Sequence, residues 1–337
     1  MSKWWNIQET ASHNCLFNFI DGIRGAGKTY GMLKYLTERH IAKGYNFLYL
    51  RRTEEELKKL TTQKNGRLFN HVQVEFPGHA LWAESDILHI DKEVMGYAQA
   101  LSTAKKLKSD AMVNVRDIVF DEYKVDPFGT SRELRDEVTA FFELYESVAR
   151  PGAFDYDVRV WFLGNALTST DCYTSFFNIP MPYNTDIWKR GDVLKQLVAP
   201  QELIDAKKDT RFYKLIEGSE YASYAAENTY LRDKDSFIGK KGKNSEYQFT
   251  LIYKDSEIGV WIDYRNGRYY ISDSVDKQCR LVYATTDEEH KPNTLLLKGF
   301  KSSTHLKNLK SAYDKGCVYY ENQKLANWFR DIIRMGL

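Results

Sequence analysis

The 337-residue chain is 43% apolar and 28% charged, with a net charge of +2, which excludes a disordered or fibrous chain and suits two globular domains with real cores. No apolar run reaches membrane-spanning length, and the N-terminal MSKWWNIQETASHN lacks the pattern of a signal peptide. Four isolated cysteines (Cys15, Cys172, Cys279, Cys317) without C-x-x-C spacing suggest buried thiols in a reducing compartment, and the seven histidines form no zinc pattern.

In chain order, Leu16 to Ile20 reads as a buried strand. DGIRGAGKTY (Asp21 to Tyr30) follows it, and the spacing of Met32, Leu33, Leu36 and Ile41 predicts a helix over Gly31 to Gly44. Gly22, Gly27, Lys28 and Thr29 fill every fixed position of the phosphate-binding loop G-x-x-x-x-G-K-[ST]. The loop through Arg24 and Gly25 can curl so that its N–H groups face an anion at the positive end of the following helix. Lys28 would reach the terminal phosphates of ATP, and the Thr29 hydroxyl would ligate Mg²⁺. The bland alternative is a glycine turn between two core elements; the strand–loop–helix order favours the nucleotide.

Tyr45 to Arg52 reads as a second strand. VRDIVFDEY then ends an apolar run on Asp121 and Glu122. A carboxylate at that strand end can orient Mg²⁺ through its water shell, and the adjacent glutamate can polarise the attacking water. That pairing suits an enzyme that hydrolyses ATP, against an ordinary solvated strand end. After a helical segment (Ser131 to Arg150), a further strand (Asp157 to Leu167) ends near Asn165, whose amide either holds the attacking water or sits in a turn. Strands alternating with helices predict a parallel sheet with helices on both faces. Ligands bind at the carboxyl ends of its strands, where Gly22–Thr29, Asp121, Glu122 and Asn165 lie. Arg150, stopped by Pro151-Gly152, can point into a neighbouring subunit, although spacing alone favours a helix C-terminal cation.

Residues 192–230 read as a helical lid and linker, or as the last helices of the front domain. Behind them, EYQFTLIYK, EIGVWID and GRYYISD predict a three-stranded antiparallel meander, with Asn266-Gly267 as a hairpin signal. RLVYAT and CVYYEN read as strands, THLKNLKSAYDKG and NQKLANWFRDIIRMG as helices, an order that suits an RNase H-like domain. The rear is basic: residues 228–337 hold 19 basic and 14 acidic side chains, against 29 and 32 in front. Lys291 to Lys310 carries five lysines and no acid, a solvated face or a polyanion contact. Two-metal nucleases place a carboxylate within the first strand of such a domain. EYQFTLIYK has none in its interior and Asp255 only follows its end, while Asp263, Asp273 and Asp287 to Glu289 remain, so these residues alone leave cleavage open.

Together GIRGAGKT, YLRR, EFPGH (Glu75 to His79), NVRDIVFDEY, FLGNA, RFYKLIEGSEY (Arg211 to Tyr221) and GVWID (Gly259 to Asp263) resemble the DNA-packaging ATPase of phi-29-like podophages over nearly the whole chain. The resemblance implies an ASCE-type P-loop ATPase domain (1–191), RecA-like in its sheet, followed by a linker (192–230) and a degenerate nuclease domain (231–337). It implies a ring of five copies that drives double-stranded DNA into a prohead, with ATP and Mg²⁺ as cofactors. Partners would be DNA gripped without sequence preference, the portal and a packaging RNA. The expected location is the host cytoplasm, transiently at the portal vertex and not in the mature virion. By matching position, Lys28 and Thr29 take the loop roles, Asp121 and Glu122 the acidic pair, Arg150 the arginine acting in trans, and Lys108 a second basic position at the subunit interface. The chain departs from the family at Thr53 to Glu56, acidic where the family is basic. Rival expectations are a P-loop kinase, a helicase-type translocase, and a DNA-binding scaffold with a structural nucleotide.

Overall fold

A short helix, α1 (Ile7–Ser12), leads into β1 (Phe17–Gly22), and α2 (Lys28–Lys43) follows the glycine-rich turn. Then come β2 (Asn46–Arg51), α3 (Glu54–Thr61), β3 (Leu81–Glu84), β4 (Ile87–Ile90), β5 (Glu93–Ala100) and β6 (Val115–Asp121). The front unit continues with α4 (Glu137–Ala149), β7 (Arg159–Asn165), α5 (Cys172–Phe176), β8 (Ile187–Arg190), β9 (Val193–Val198), α6 (Gln201–Lys208) and α7 (Arg211–Ile216). This computed structural model describes residues 4–61, 67–107, 112–125, 133–134, 136–150, 156–167, 171–179, 186–219, 222, 237–300, 303–335 and 337. The chain divides into two compact units, Met1–Leu231 and Arg232–Leu337.

The front strands form one sheet in the order β3-β4-β5-β2-β6-β7-β1-β9-β8. Strands β5, β2, β6, β7, β1 and β9 run parallel, and β3, β4 and β8 add antiparallel edges. Helices cover both faces, so β1 and β2 are buried at every residue and read as apolar runs rather than alternating ones. On one face Met32, Leu33 and Leu36 of α2 pack with Ile20, Tyr49 and Trp161. On the other, Phe141, Leu144 and Val148 of α4 pack with Phe19, Phe120 and Phe162. Each such ring, fully buried, stabilises the fold by roughly 1.5–3 kcal/mol. β7 lies between the loop-bearing β1 and the Asp-Glu strand β6. That inserted strand is the arrangement of the ASCE class, as expected.

Two parts of the front unit were not foreseen. The hairpins β3-β4-β5 turn at Ser85 and Asp91, both with positive φ, so the glycine and asparagine signals of a tight turn are missing. Strand β9 lies beside β1, so the segment beginning at 192 is not a purely helical lid, and its helices start at Gln201. A fully buried lysine in mid-strand, Lys195, hides β9 from a reading of apolar pattern. Of the four thiols only Cys15 is buried; the others are half-buried, and all are free.

The rear unit holds β10 (Glu246–Tyr253), β11 (Ser256–Asp263), β12 (Arg268–Ser272), β13 (Val282–Ala284), β14 (Leu295–Leu296), α8 (Thr304–Asp314), β15 (Val318–Tyr320) and α9 (Gln323–Met335). The predicted meander is present, with β13 parallel beside β10 and β15 parallel beside β12. This is RNase H-like order with one added strand, and a loop rather than a helix joins β12 to β13. The two-residue turn with both φ positive is Lys254-Asp255, not Asn266-Gly267. The latter belongs to a longer loop in which Asp263 accepts from Arg265 N and Asn266 Nδ2, and only Gly267 has positive φ. Leu306, Leu309, Phe329 and Ile332 pack on Phe249, Leu251 and Val260. Lys291, Lys298 and Lys307 are exposed, and Lys310 pairs with Asp314 at 3.1 Å, a solvated face.

Candidate active site

The phosphate loop is shaped by two different glycine requirements. Gly25 and Gly27 have φ of 85° and 80°, where an L side chain is strained. Gly22 is needed for space: a Cβ there would lie 2.4 Å from the Val198 carbonyl oxygen at the end of β9. The N-terminal segment braces the loop, with Trp5 N donating to Ala26 O at 3.0 Å and the Trp4 ring against Gly27. From α6, Lys207 Nζ donates to the Arg24 carbonyl at 2.6 Å.

Lys28 opens α2 and is buried. Its ammonium donates to the carbonyls of Gly22 (3.2 Å) and Ile23 (3.1 Å). Burial lowers its pKa to about 8, against the opposing pull of Asp21 and Asp121. Thr29 Oγ1 donates to Asp121, 3.1 Å from each carboxylate oxygen. Tyr49 Oη donates to Asp121 Oδ2 at 2.7 Å, and Glu122 N to Asp121 Oδ1 at 3.1 Å. Burial and the Asp121 charge push the Tyr49 hydroxyl well above its usual pKa, so it stays a donor.

Glu122 takes φ of 55°, which breaks the strand and turns its side chain outward, 60% exposed. Its carboxylate meets Arg51 at the end of β2, Nη1 to Oε2 3.0 Å. The next arginine, Arg52, holds the same turn from the backbone side, donating to the carbonyls of Glu122 (3.4 Å) and Tyr123. Arg52 is itself held by a buried two-point pair with Glu137, the first residue of α4 (2.9 and 3.0 Å).

Asn165 ends β7 opposite Gly22, and Ala166 N donates to Gly22 O at 3.0 Å. The parallel sheet therefore brings Gly22–Thr29, Asp121, Glu122 and Asn165 to one edge. Arg150 is elsewhere: an exposed C-cap of α4 with φ of 39°, its Nε donating to Ser147 O at 3.3 Å. It answers the helix dipole and faces solvent at once. Lys108 lies outside the described residues. Sequence reading passed over Tyr49, Arg51, Arg52 and Glu137. The usable signal was the arginine pair at the end of an apolar strand, where an ordinary solvated end is equally common.

The family model for podovirus DNA encapsidation protein (Gp16) matches residues 1–335. The DNA packaging protein of Bacillus phage phi29 is 32% identical over 333 residues, covering 99% of this chain and 98% of that one. Among solved structures, a chain of the phi29 viral genome packaging motor assembly aligns with a TM-score of 0.80 at 32% identity, covering 99% of each. The N-terminal domain of the phi29 DNA packaging ATPase aligns with a TM-score of 0.53 at 34% identity, over 60% of this chain and 98% of that one. With its loop, acidic pair and strand order in place, the chain belongs to the podovirus DNA encapsidation protein (Gp16) family.

Proposed function

We propose that this packaging-motor protein hydrolyses ATP at the edge of its parallel sheet and works as a ring of five identical subunits driving double-stranded DNA into a prohead. The observation that carries the reading is the approach of Thr29 Oγ1 to both oxygens of Asp121 beside the phosphate loop. A hydroxyl and a carboxylate there are hard oxygen donors, the set that suits Mg²⁺. Thr29 and Asp121 would hold the ion, which would supply neutralisation of phosphate charge.

The chain's own groups supply the rest. Loop N–H groups and Lys28 hold the phosphates, and the carboxylate of Glu122 accepts a proton from the attacking water once it leaves Arg51. Asn165 orients that water. Arg150 of one subunit neutralises the charge growing on a neighbour's γ-phosphate, an effect of ~10³–10⁵ in rate for such arginines, and Lys108 adds a second basic group at that seam. DNA is gripped through phosphates, so binding is indifferent to sequence and weakens steeply with salt. The basic rear unit grips DNA, the portal or a packaging RNA without cutting, since the interior of β10 carries no carboxylate. The protein works in the host cytoplasm, docked at the portal vertex during packaging, and is absent from the mature virion.

The test mixes Glu122→Gln subunits with Arg150→Ala subunits. Each alone should bind ATP and turn it over poorly, and the mixture should regain activity. A mixture as inactive as its parts removes catalysis in trans; Glu122→Gln with normal turnover removes the hydrolytic reading.

A further inference from the structure

Asp21 precedes the first glycine of the phosphate loop and is fully buried. Its Oδ1 accepts from Tyr123 Oη at 2.8 Å, while Oδ2 lies 2.8 Å from Lys124 Nζ and 3.4 Å from Lys195 Nζ. Lys124 also lies 3.6 Å from Asp171, whose other oxygen caps α5 through Thr174 N at 2.8 Å. Burial alone would raise the Asp21 carboxyl, but Lys124 and Lys195 outweigh it and hold it below its usual range. Asp21 is thus held as a carboxylate, while burial and Lys124 lower the pKa of Lys195.

Buried ion pairs are weak contributors to stability. Apolar replacements are often neutral or stabilising. A reason beyond stability is found in what the cluster connects. Tyr123 and Lys124 directly follow Glu122, whose left-handed backbone is strained for a non-glycine residue. Such a conformation persists where its surroundings over-determine it. Asp21 and Tyr123 belong to strand ends that are not neighbours, since β7 runs between them. β7 admits the bridge by carrying Gly164 there: a Cβ would lie 2.8 Å from Tyr123 Cε1 and 3.1 Å from Asp21 Oδ1.

We propose that Asp21, Tyr123, Lys124 and Lys195 are positioning residues that lock the turn at Glu122 to the root of the phosphate loop and so set where its carboxylate stands. The cluster acts through Glu122, so the proposal rests on Glu122 being the group that activates water. Tyr123 and Lys124 pull the chain beneath the sheet edge on one side, while Arg52 holds the Glu122 and Tyr123 carbonyls on the other. The Glu122 backbone lies between these two anchors, and its side chain meets Arg51.

The test uses Tyr123→Phe and Lys124→Met in the full-length protein with DNA and proheads. Each should lower kcat for ATP about tenfold, with KM and affinity for a fluorescent non-hydrolysable ATP analogue within about twofold of the parent. In a Glu122→Gln background, neither should lower the residual single-turnover rate further. Unchanged kcat in Tyr123→Phe, which removes one oxygen, overturns the proposal whatever Lys124→Met does. A matching loss of nucleotide affinity, or an undiminished effect in the Glu122→Gln background, overturns it too. If Glu122→Gln itself turns over ATP normally, the hydrolytic reading fails first; if Glu122→Gln is dead and Tyr123→Phe is normal, only the positioning role fails.

Discussion

Arg51 Nη1 lies 3.0 Å from Glu122 Oε2 and 3.8 Å from Asp121 Oδ2, so one nearly buried guanidinium is shared by both members of the acidic pair. A carboxylate oxygen that faces a guanidinium is less open to an incoming water than a free one. Replacing Arg51 by alanine should therefore raise DNA-independent ATP turnover, by about two- to fivefold given the modest strength of a pair open to solvent. Arg51→Lys should stay near the parent. A phosphate-release assay without DNA measures this directly, and a fall in basal rate would assign Arg51 to transition-state binding instead.

Lys28 predicts a pH dependence. Phosphate binding needs the ammonium, and burial brings its pKa to about 8. ATP affinity should be level on the acid side of that value and decline as pH rises through it, by about tenfold per pH unit. Binding at alkaline pH should take up a proton, visible by calorimetry in two buffers of different ionisation enthalpy. The nucleotide-free fold has the opposite slope. From about pH 8 to the ordinary lysine value the unfolded chain holds the extra proton, so stability rises with pH across that window.

Thr29 and Asp121 should set the requirement for divalent cation. Thr29→Ala and Asp121→Asn should each shift the Mg²⁺ activation midpoint upward, and Thr29→Ser should restore it, because the hydroxyl is what the site uses. Tyr49→Phe removes the 2.7 Å donor to Asp121 without touching the loop. Its effect should appear in the Mg²⁺ titration and not in ATP affinity measured at saturating metal.

Arg52 and Glu137 predict a stability change. Arg52→Met leaves a buried carboxylate unpaired and should cost about 3–5 kcal/mol in urea unfolding. Arg52→Met with Glu137→Leu should recover most of that loss. Turnover should stay low in the double variant, because the carbonyls of Glu122 and Tyr123 have lost their donor.

The phosphate loop was legible because its geometry demands particular residues at fixed spacing, and Asp121-Glu122 because an apolar run stops on two acids. What surrounds them was not. Arg51 meets Glu122 only once parallel strands are laid side by side, an order that local pattern does not contain. Strand β9 was lost to Lys195, which is polar by letter and buried by pairing with Asp21. The hairpins at Ser85 and Asp91 were lost because tertiary packing holds ordinary residues in a left-handed conformation usually left to glycine or asparagine.

Helix α4 begins at Glu137, whose carboxylate reaches the Glu122 turn through Arg52, and ends at Arg150 on the surface. Its 13 residues make a rod of about 20 Å. If ATP is split at the Glu122 turn as proposed, α4 is the rigid link along which a shift at that turn is carried to Arg150 on the surface of the same chain. On that reading stiffness alone would keep order among neighbouring copies, with no separate messenger passing between them.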